Sequence, residues 1–203
     1  MPFKDGCVMH KYSCDSDRRD TVYLASLIIC AAVAFVLAYA VDWAFGGINV
    51  VIDFLLFVVS FGPFSFWVLF TDSFSHMLLR LSGIHDCSGT YRGELRTNYD
   101  GFAEGYPVTM TIKHGFREME IRLITERSRS CSMTASLHQD GDRVEIVYTF
   151  ENSGSVDDGL NRHIGTCIVS LEDGTIEGMY YTHPDRKSYG EISAQAVLDY
   201  KRP

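Results

Sequence analysis

The chain has 203 residues, enough for one or two domains, with 46% hydrophobic residues and a formal net charge of −8. Aromatic residues at 13% and charged residues at 22% exclude a disordered chain, and a pI near 5.3 argues against holding a DNA or RNA polymer on a basic surface. The averages conceal a division: residues 21–70 contain two charged groups, Asp42 and Asp53, whereas residues 84–203 contain 13 Lys+Arg and 19 Asp+Glu, which excludes a simple soluble protein.

Residues 1–20 read as a polar tail carrying Lys4, Lys11, Arg18 and Arg19. Thr21–Val41 follows, 21 uncharged residues between Asp20 and Asp42. At about 1.5 Å per residue this run covers a hydrocarbon core of about 30 Å. The second run, Ile48–Phe70, has 23 residues and one acid, Asp53. Six residues, DWAFGG, separate the two runs, too few for anything but a tight turn. Residues 21–72 therefore read as a transmembrane hairpin with spans 21–41 and 48–70. The Lys/Arg asymmetry, four before the first span and none in the turn, places both termini on the cytoplasmic side. Trp43 and Trp67 suit interfacial anchoring. Ala38-Tyr39-Ala40 matches a signal-peptidase pattern, but the apolar run is too long and its leader holds four acids, so the run is expected to be retained.

Asp53 is the transmembrane polar group. It either makes a helix–helix or pore contact or snorkels to the nearby interface. Gly62-Pro63 predicts a kink, because proline removes a helical donor. The six cysteines show no C-x-x-C spacing, and Cys7-x2-His10-x3-Cys14 lacks a fourth ligand, so no metal is expected. A cytoplasmic setting keeps thiols reduced.

Residues 73–86 form an amphipathic connector, with Phe74, Met77, Leu78 and Leu81 at helical spacing up to Gly83. From residue 87 to 203 the period changes to two. Eight candidate strands follow: Ser88–Thr97, Tyr106–His114, Arg117–Glu126, Ser130–His138, Arg143–Glu151, Arg162–Leu171, Thr175–Thr182 and Ser188–Leu198. Val144, Ile146, Tyr148 and Phe150 share one face of the fifth; Cys131, Met133, Ala135 and Leu137 share one face of the fourth. The connections are turn chemistry, such as Gln139-Asp140-Gly141-Asp142 and Glu172-Asp173-Gly174. Sequential strands with short turns predict an all-β domain, an eight-stranded antiparallel up-and-down barrel, lipocalin-like in topology. Closure removes exposed edges, and such a barrel is either filled or holds one small ligand.

The inward set includes small residues, Gly93, Ala135, Gly165, Gly178, Gly190 and Ala194, which either permit the bends of closure or leave a cavity. Tyr91, Thr125, Tyr148, Thr166, Tyr180 and Thr182 lie on or near the same face. Arg122, Arg127, Arg129 and Arg143 lie on or beside adjacent strands, within reach of a phosphate if they point inward; a one-residue register slip reverses that. There is no G-x-S-x-G, H-E-x-x-H or P-loop, and an enzyme is not expected.

The tail, the two-span hairpin and a β domain opening with Ser88-Gly89-Thr90-Tyr91-Arg92-Gly93 resemble the CD-NTase-associated membrane effectors of bacterial CBASS antiphage defence. The resemblance covers residues 21–203. It implies a cyclic dinucleotide as ligand, with no other cofactor, bound within the barrel. It further implies a homo-oligomer on activation, a lipid bilayer as target, disruption of the bacterial inner membrane and abortive infection. The ligand-binding candidates are Tyr91, Arg122, Arg127, Tyr148, Thr166 and Tyr180: tyrosines to stack bases and guanidinium groups to take phosphates. The alternatives are a membrane-anchored barrel for a lipid or other hydrophobe and a structural membrane adaptor with a filled barrel.

Overall fold

A computed structural model describes residues 7–44, 46–47, 50–126, 128–154, 163–183 and 187–197. The chain divides into two compact units, a helical one, Ser16–Ile84, and a β unit made of Met1–Asp15 together with His85–Pro203.

The helical unit contains α1 (Arg18–Ala44), α2 (Val50–Phe70) and α3 (Asp72–Leu81). Among the described residues one helix, α1, is long and apolar enough to cross a membrane; its 27 residues extend about 40 Å. The continuous apolar stretch within α2 is shorter, Phe54–Val68. Ser26, Cys30, Ala34 and Ala38 recur every fourth residue and form the buried stripe of α1. Small side chains there let a neighbouring helix backbone approach closely, and α2 is the helix packed on α1. The remaining faces expose Leu24, Ile28, Phe35, Phe54, Val59 and Phe66, an apolar surface ill suited to water. Pro63 lies inside α2, and just beyond it the Ser65 hydroxyl donates to the Phe61 and Gly62 carbonyls (2.7 and 3.0 Å). The Asp53 side chain and most of the hairpin turn lie outside the described residues. The predicted connector is helix α3. It ends at Gly83 (φ +70°) with Gly83 N–H on the Arg80 carbonyl and Ile84 N–H on that of Leu79, the paired closing bonds of a left-handed C-terminal cap.

The β unit has nine strands: β1 (His10–Cys14), β2 (Gly89–Thr97), β3 (Tyr106–His114), β4 (Glu118–Thr125), β5 (Ser128–Asp140), β6 (Arg143–Gly154), β7 (His163–Glu172), β8 (Thr175–Thr182) and β9 (Tyr189–Ala196). They close into a ring in the order β1-β4-β3-β2-β9-β8-β7-β6-β5. The eight expected strands are all present, within two residues at most ends. The ninth, β1, lies within residues 1–20, where the sequence reading placed a tail and no strand.

β1 is needed because β4 and β5 diverge. They pair directly only over Arg122–Ile124 against Arg129–Cys131. Past that fork β1 fills the gap, antiparallel to β4 (His10↔Met119) and parallel to β5 (Tyr12↔Ala135). The open edges left by the fork are thereby paired. Three anchors hold the strand. Cys7 is disulfide-bonded to Cys131, which corrects the expectation that every thiol is free. His10 Nε2 meets Ser132 Oγ at 2.7 Å. Tyr12, 6% exposed, joins a buried relay. In it the Cys87 N–H donates to His114 Nδ1 (3.2 Å), so the ring proton sits on Nε2 and donates to Tyr12 Oη (2.9 Å). Tyr12 donates onward to the Phe116 carbonyl (3.4 Å).

A second correction concerns parity. A bulge in β5 between Ser132 and Thr134 inserts Met133 without a partner, and Met133 is exposed. Ser130 and Ser132 are buried before the bulge, Ala135 and Leu137 after it. The bulge moves the inward positions from even to odd numbers, so Cys131 and Met133 leave the inward set.

Candidate functional site

The two ends of the β unit are built differently. At one end Phe116, Met119, Ile121, Leu137, Ile146 and Ile176 are all at most 1% exposed and fill the ring. Asp15 and His85, where the chain passes to and from the helical unit, both bond to the end of β5: His138 Nδ1 pairs with the Asp15 carboxylate, and His85 N–H donates to Gln139 Oε1 (2.9 Å). At the other end, where β2, β4, β6 and β8 finish, lies a cavity of about 620 Å³, within the range of small-molecule sites.

The cavity wall has two tiers. The lower tier is apolar and aromatic: Leu95, Leu123, Tyr148, Phe150, Cys167, Tyr180 and Ile192. Phe150 sits 6.3 Å from Tyr148 and 6.5 Å, nearly edge-on, from Tyr180. Glycines make room for two of these rings. Gly165 lies across from Phe150 and Gly190 across from Tyr180, and a Cβ at either position would overlap the facing ring. At Gly93 and Gly178 a Cβ would instead strike the backbone of the adjoining strand. The small residues thus serve both close strand approach and the placing of the rings.

The upper tier is polar: Thr97, Thr125, Ser128, Ser130, Asn152, His163, Thr182 and Ser188. Several of these groups are engaged within the protein. Thr125 Oγ1 pairs with the Ser128 hydroxyl (3.0 Å), Thr182 Oγ1 donates to the Ser188 carbonyl (3.1 Å), and Thr97 Oγ1 accepts from Tyr99 N–H (3.3 Å). Glu104 and Glu126 also line the cavity; among the described residues none of its side chains is Lys or Arg, and His163 alone can take a positive charge.

The Tyr148 hydroxyl is hydrogen-bonded to the Cys167 thiol at the base of the cavity. Burial above all, and then the neighbouring thiol, hold the phenol well above its ordinary range. Burial pushes the Cys167 thiol up to about 12, against an opposing contribution from the Tyr148 bond. Both groups are therefore neutral donors at physiological pH, without a fixed charge beneath an anionic ligand.

Of the six candidates, Tyr148 and Tyr180 line this cavity. Tyr91 points into the ring nearer the packed end, where its hydroxyl donates to the Cys87 carbonyl (3.1 Å). Arg122 alternates with the buried Ile121 and Leu123, so it faces outward and pairs with Glu120 (3.0 Å). Thr166 alternates with the buried Gly165 and Cys167 and also faces outward. Arg127 lies outside the described residues. Arg129 and Arg143 alternate with the buried Ser130 and Val144, and Arg143 bonds the Ser170 hydroxyl (3.0 Å). Phosphate-binding guanidinium groups inside the ring are thus not found at Arg122, Arg129 or Arg143. The residues missed were Phe150, Asn152, Ser130 and His163. Phe150 and Asn152 were recoverable, because they follow Tyr148 at steps of two on one strand face.

A closed β ring with a ligand-sized cavity at its open end, aromatic below and polar above, has the build of a small-ligand receptor domain. Residues 82–196 match the family model "Cap15, cyclic dinucleotide receptor domain", and the chain belongs to that family. The receptor is accordingly one for a cyclic dinucleotide, of the kind found in CBASS. The match begins after α3 and so omits β1, which pairs the edges of the ring at the fork between β4 and β5. No curated protein matches the chain.

Proposed function

We propose that the protein is a membrane effector of CBASS antiphage immunity whose ring, a closed barrel, takes a cyclic dinucleotide into the open-end cavity. The observation that carries this reading is the coincidence of the family match at residues 82–196 with a cavity of about 620 Å³ walled by those residues. Bases stack on Phe150, Tyr148 and Tyr180, and neutral hydroxyl and amide groups bind the polar edges. The protein works as a receptor, without catalysing a reaction.

α1 and α2 together form the membrane hairpin. Support comes from β1: residues before α1 pair with strands that follow α3. A chain whose two flanks share one sheet has both flanks on the same side of the bilayer, which requires an even number of crossings. With the Lys/Arg asymmetry, that side is the cytoplasm and the bilayer is the bacterial inner membrane. Two helices cannot by themselves enclose a polar path through lipid. Ligand-driven self-association of several copies then disrupts the membrane and aborts infection, the ligand favouring the assembled state by its differential affinity.

The test is titration of the full-length protein in nanodiscs with a panel of cyclic dinucleotides, alongside dye release from liposomes carrying the protein. Saturable binding and ligand-dependent leakage are expected. Absence of binding across the panel overturns the receptor reading; binding without leakage or assembly overturns the effector reading.

A further inference from the structure

The wall of the open-end cavity is poor in positive charge for a receptor of an anion. A cyclic dinucleotide carries two phosphodiester groups, each with a negative charge. Among the described residues the wall offers two carboxylates, Glu104 and Glu126, no Lys or Arg, and a single imidazole, that of His163. The Tyr148 phenol and the Cys167 thiol at the base are neutral.

His163 stands at the level where a phosphate belongs. It is the first residue of β7 and shares the inward face of that strand with Gly165 and Cys167. It is half-buried and lines the cavity, so its side chain is accessible from that space. Gly165, the next residue on the same face, is the position that makes room for the Phe150 ring. Because the ring of strands is filled below, a base stacked on the aromatic tier has its sugar and phosphate toward the polar tier, where His163 lies. The hydroxyl groups of Thr97, Thr125 and Thr182 on that tier are uncharged and engaged within the protein. His163 also has a contact within the protein. An imidazolium donates from both ring nitrogens, so one internal contact leaves a donor for a ligand. A hydrogen bond from an ionised donor to an ionised acceptor is about twice as strong as a neutral one.

We infer that His163 binds a phosphodiester group of the cyclic dinucleotide as an imidazolium, so that ligand binding is coupled to uptake of a proton by this ring. This rests on the proposed use of the cavity. An unperturbed imidazole changes charge near about pH 6.5. A ligand that prefers the charged ring draws a proton onto it, and affinity then falls as pH rises through the neutral range. The strands packed against β7 are β6 and β8. Their inward groups nearest His163 are Asn152 and Thr182, and neither ionises. The charged or titratable groups that share the wall are Glu104, Glu126, Cys167 and the tyrosines, and His183 follows the end of β8. All of these are kept in the variants below, so a pH dependence that survives the loss of His163 belongs to them.

The test uses full-length protein in nanodiscs with cyclic di-adenosine, di-guanosine and di-uridine monophosphates. The phosphates are common to all three, so the effect is expected with whichever of them binds. Calorimetry at about pH 7 in two buffers of different ionisation enthalpy counts the protons taken up, and native protein is expected to take up about half a proton per ligand. Native affinity is expected to fall about fivefold from about pH 6 to about pH 8. His163→Gln keeps a neutral donor; it is expected to bind about fivefold more weakly than native protein at about pH 6, to match it within about twofold at about pH 8, and to take up no proton. His163→Lys carries its charge throughout and is expected to bind equally at both pH values.

Native binding without proton uptake overturns the inference, whatever the variants do. So does a native pH slope retained by His163→Gln, or an affinity of His163→Lys that still falls over the same range. A native protein that binds none of the three ligands at either pH overturns the receptor reading itself, a result distinct from any of these.

Discussion

The packed and open ends of the β unit are made from the same strands, yet they obey different rules. At the packed end large apolar side chains at most 1% exposed, such as Phe116, Ile146 and Ile176, fill the ring, and a buried relay, Cys87–His114–Tyr12–Phe116, is bonded throughout. At the open end the same strand faces carry rings spaced by glycines, hydroxyl groups and an asparagine carbonyl with no donor among the described residues. One end supplies stability, and the other gives some of it up to keep a space. Function is accordingly sought where packing and hydrogen bonding are incomplete.

The comparison breaks first under truncation. Phe116→Ala at the packed end is expected to lower unfolding free energy by about 3–5 kcal/mol, the usual range for a buried phenylalanine, and to leave the affinity of the folded fraction unchanged. Phe150→Ala at the open end is expected to cost less stability and more affinity, because its ring already borders empty space. Urea denaturation with calorimetry on both variants checks this, and equal effects on both quantities would erase the distinction between the ends.

The disulfide is next in size. Cys7 and Cys131 are 124 residues apart, and opening a cross-link of that span is expected to cost about 2–4 kcal/mol. Cys7→Ser, compared with oxidised and reduced native protein by denaturant titration, reads it. The variant should match the reduced protein; if all three coincide, β1 is held by pairing and packing alone.

Gly190→Ala sharpens the comparison from the other side. The added methyl meets the Arg96 carbonyl and the Tyr180 ring, so a stability loss of about 1–3 kcal/mol is expected from overpacking. A fall in ligand affinity should accompany it as the ring is displaced. Retained affinity with lowered Tm would separate Tyr180 from the site.

The smallest effect is confined to alkaline pH. The Cys87 thiol at the packed end is pushed up to about 12 by burial, then by the charge of Asp86 and by Cys14. Cys167 at the open end is also raised to about 12, and burial holds the Tyr148 phenol well above its ordinary range. The unfolded chain releases these protons first, so the native state binds more of them above a pH of about 9 and stability falls as pH rises from there toward about 12. Below about pH 9 these three groups leave stability flat. Urea unfolding at about pH 8 and about pH 10 measures the difference, and Cys87→Ala and Cys167→Ala should each flatten the decline. An unchanged slope in both would remove buried thiols as its source.

Local pattern alone established a great deal. The uncharged runs marked the helices, because backbone in an apolar setting must satisfy its own hydrogen bonds. Strict alternation and Gly/Asp turns marked eight strands, because a half-buried strand repeats every two residues. Parity along β6 already set Val144, Ile146, Tyr148 and Phe150 on one face. Everything that depended on pairing between distant residues was left to the tertiary structure. HKYSC is too short for its alternation to signal a strand, and its partners lie more than 100 residues away on β4 and β5. One unpaired residue, Met133, reverses the facing of everything beyond it on β5. Arg122 and Thr166 were plausible cavity residues by type, but ring closure turned them outward. Asn152 has no distinguishing sequence context; only the convergence of β5, β6 and β7 leaves its carbonyl buried and without a donor among the described residues. Periodicity is a property of neighbours along the chain, whereas register, closure and hydrogen-bond satisfaction are settled by contacts that form only when distant segments meet.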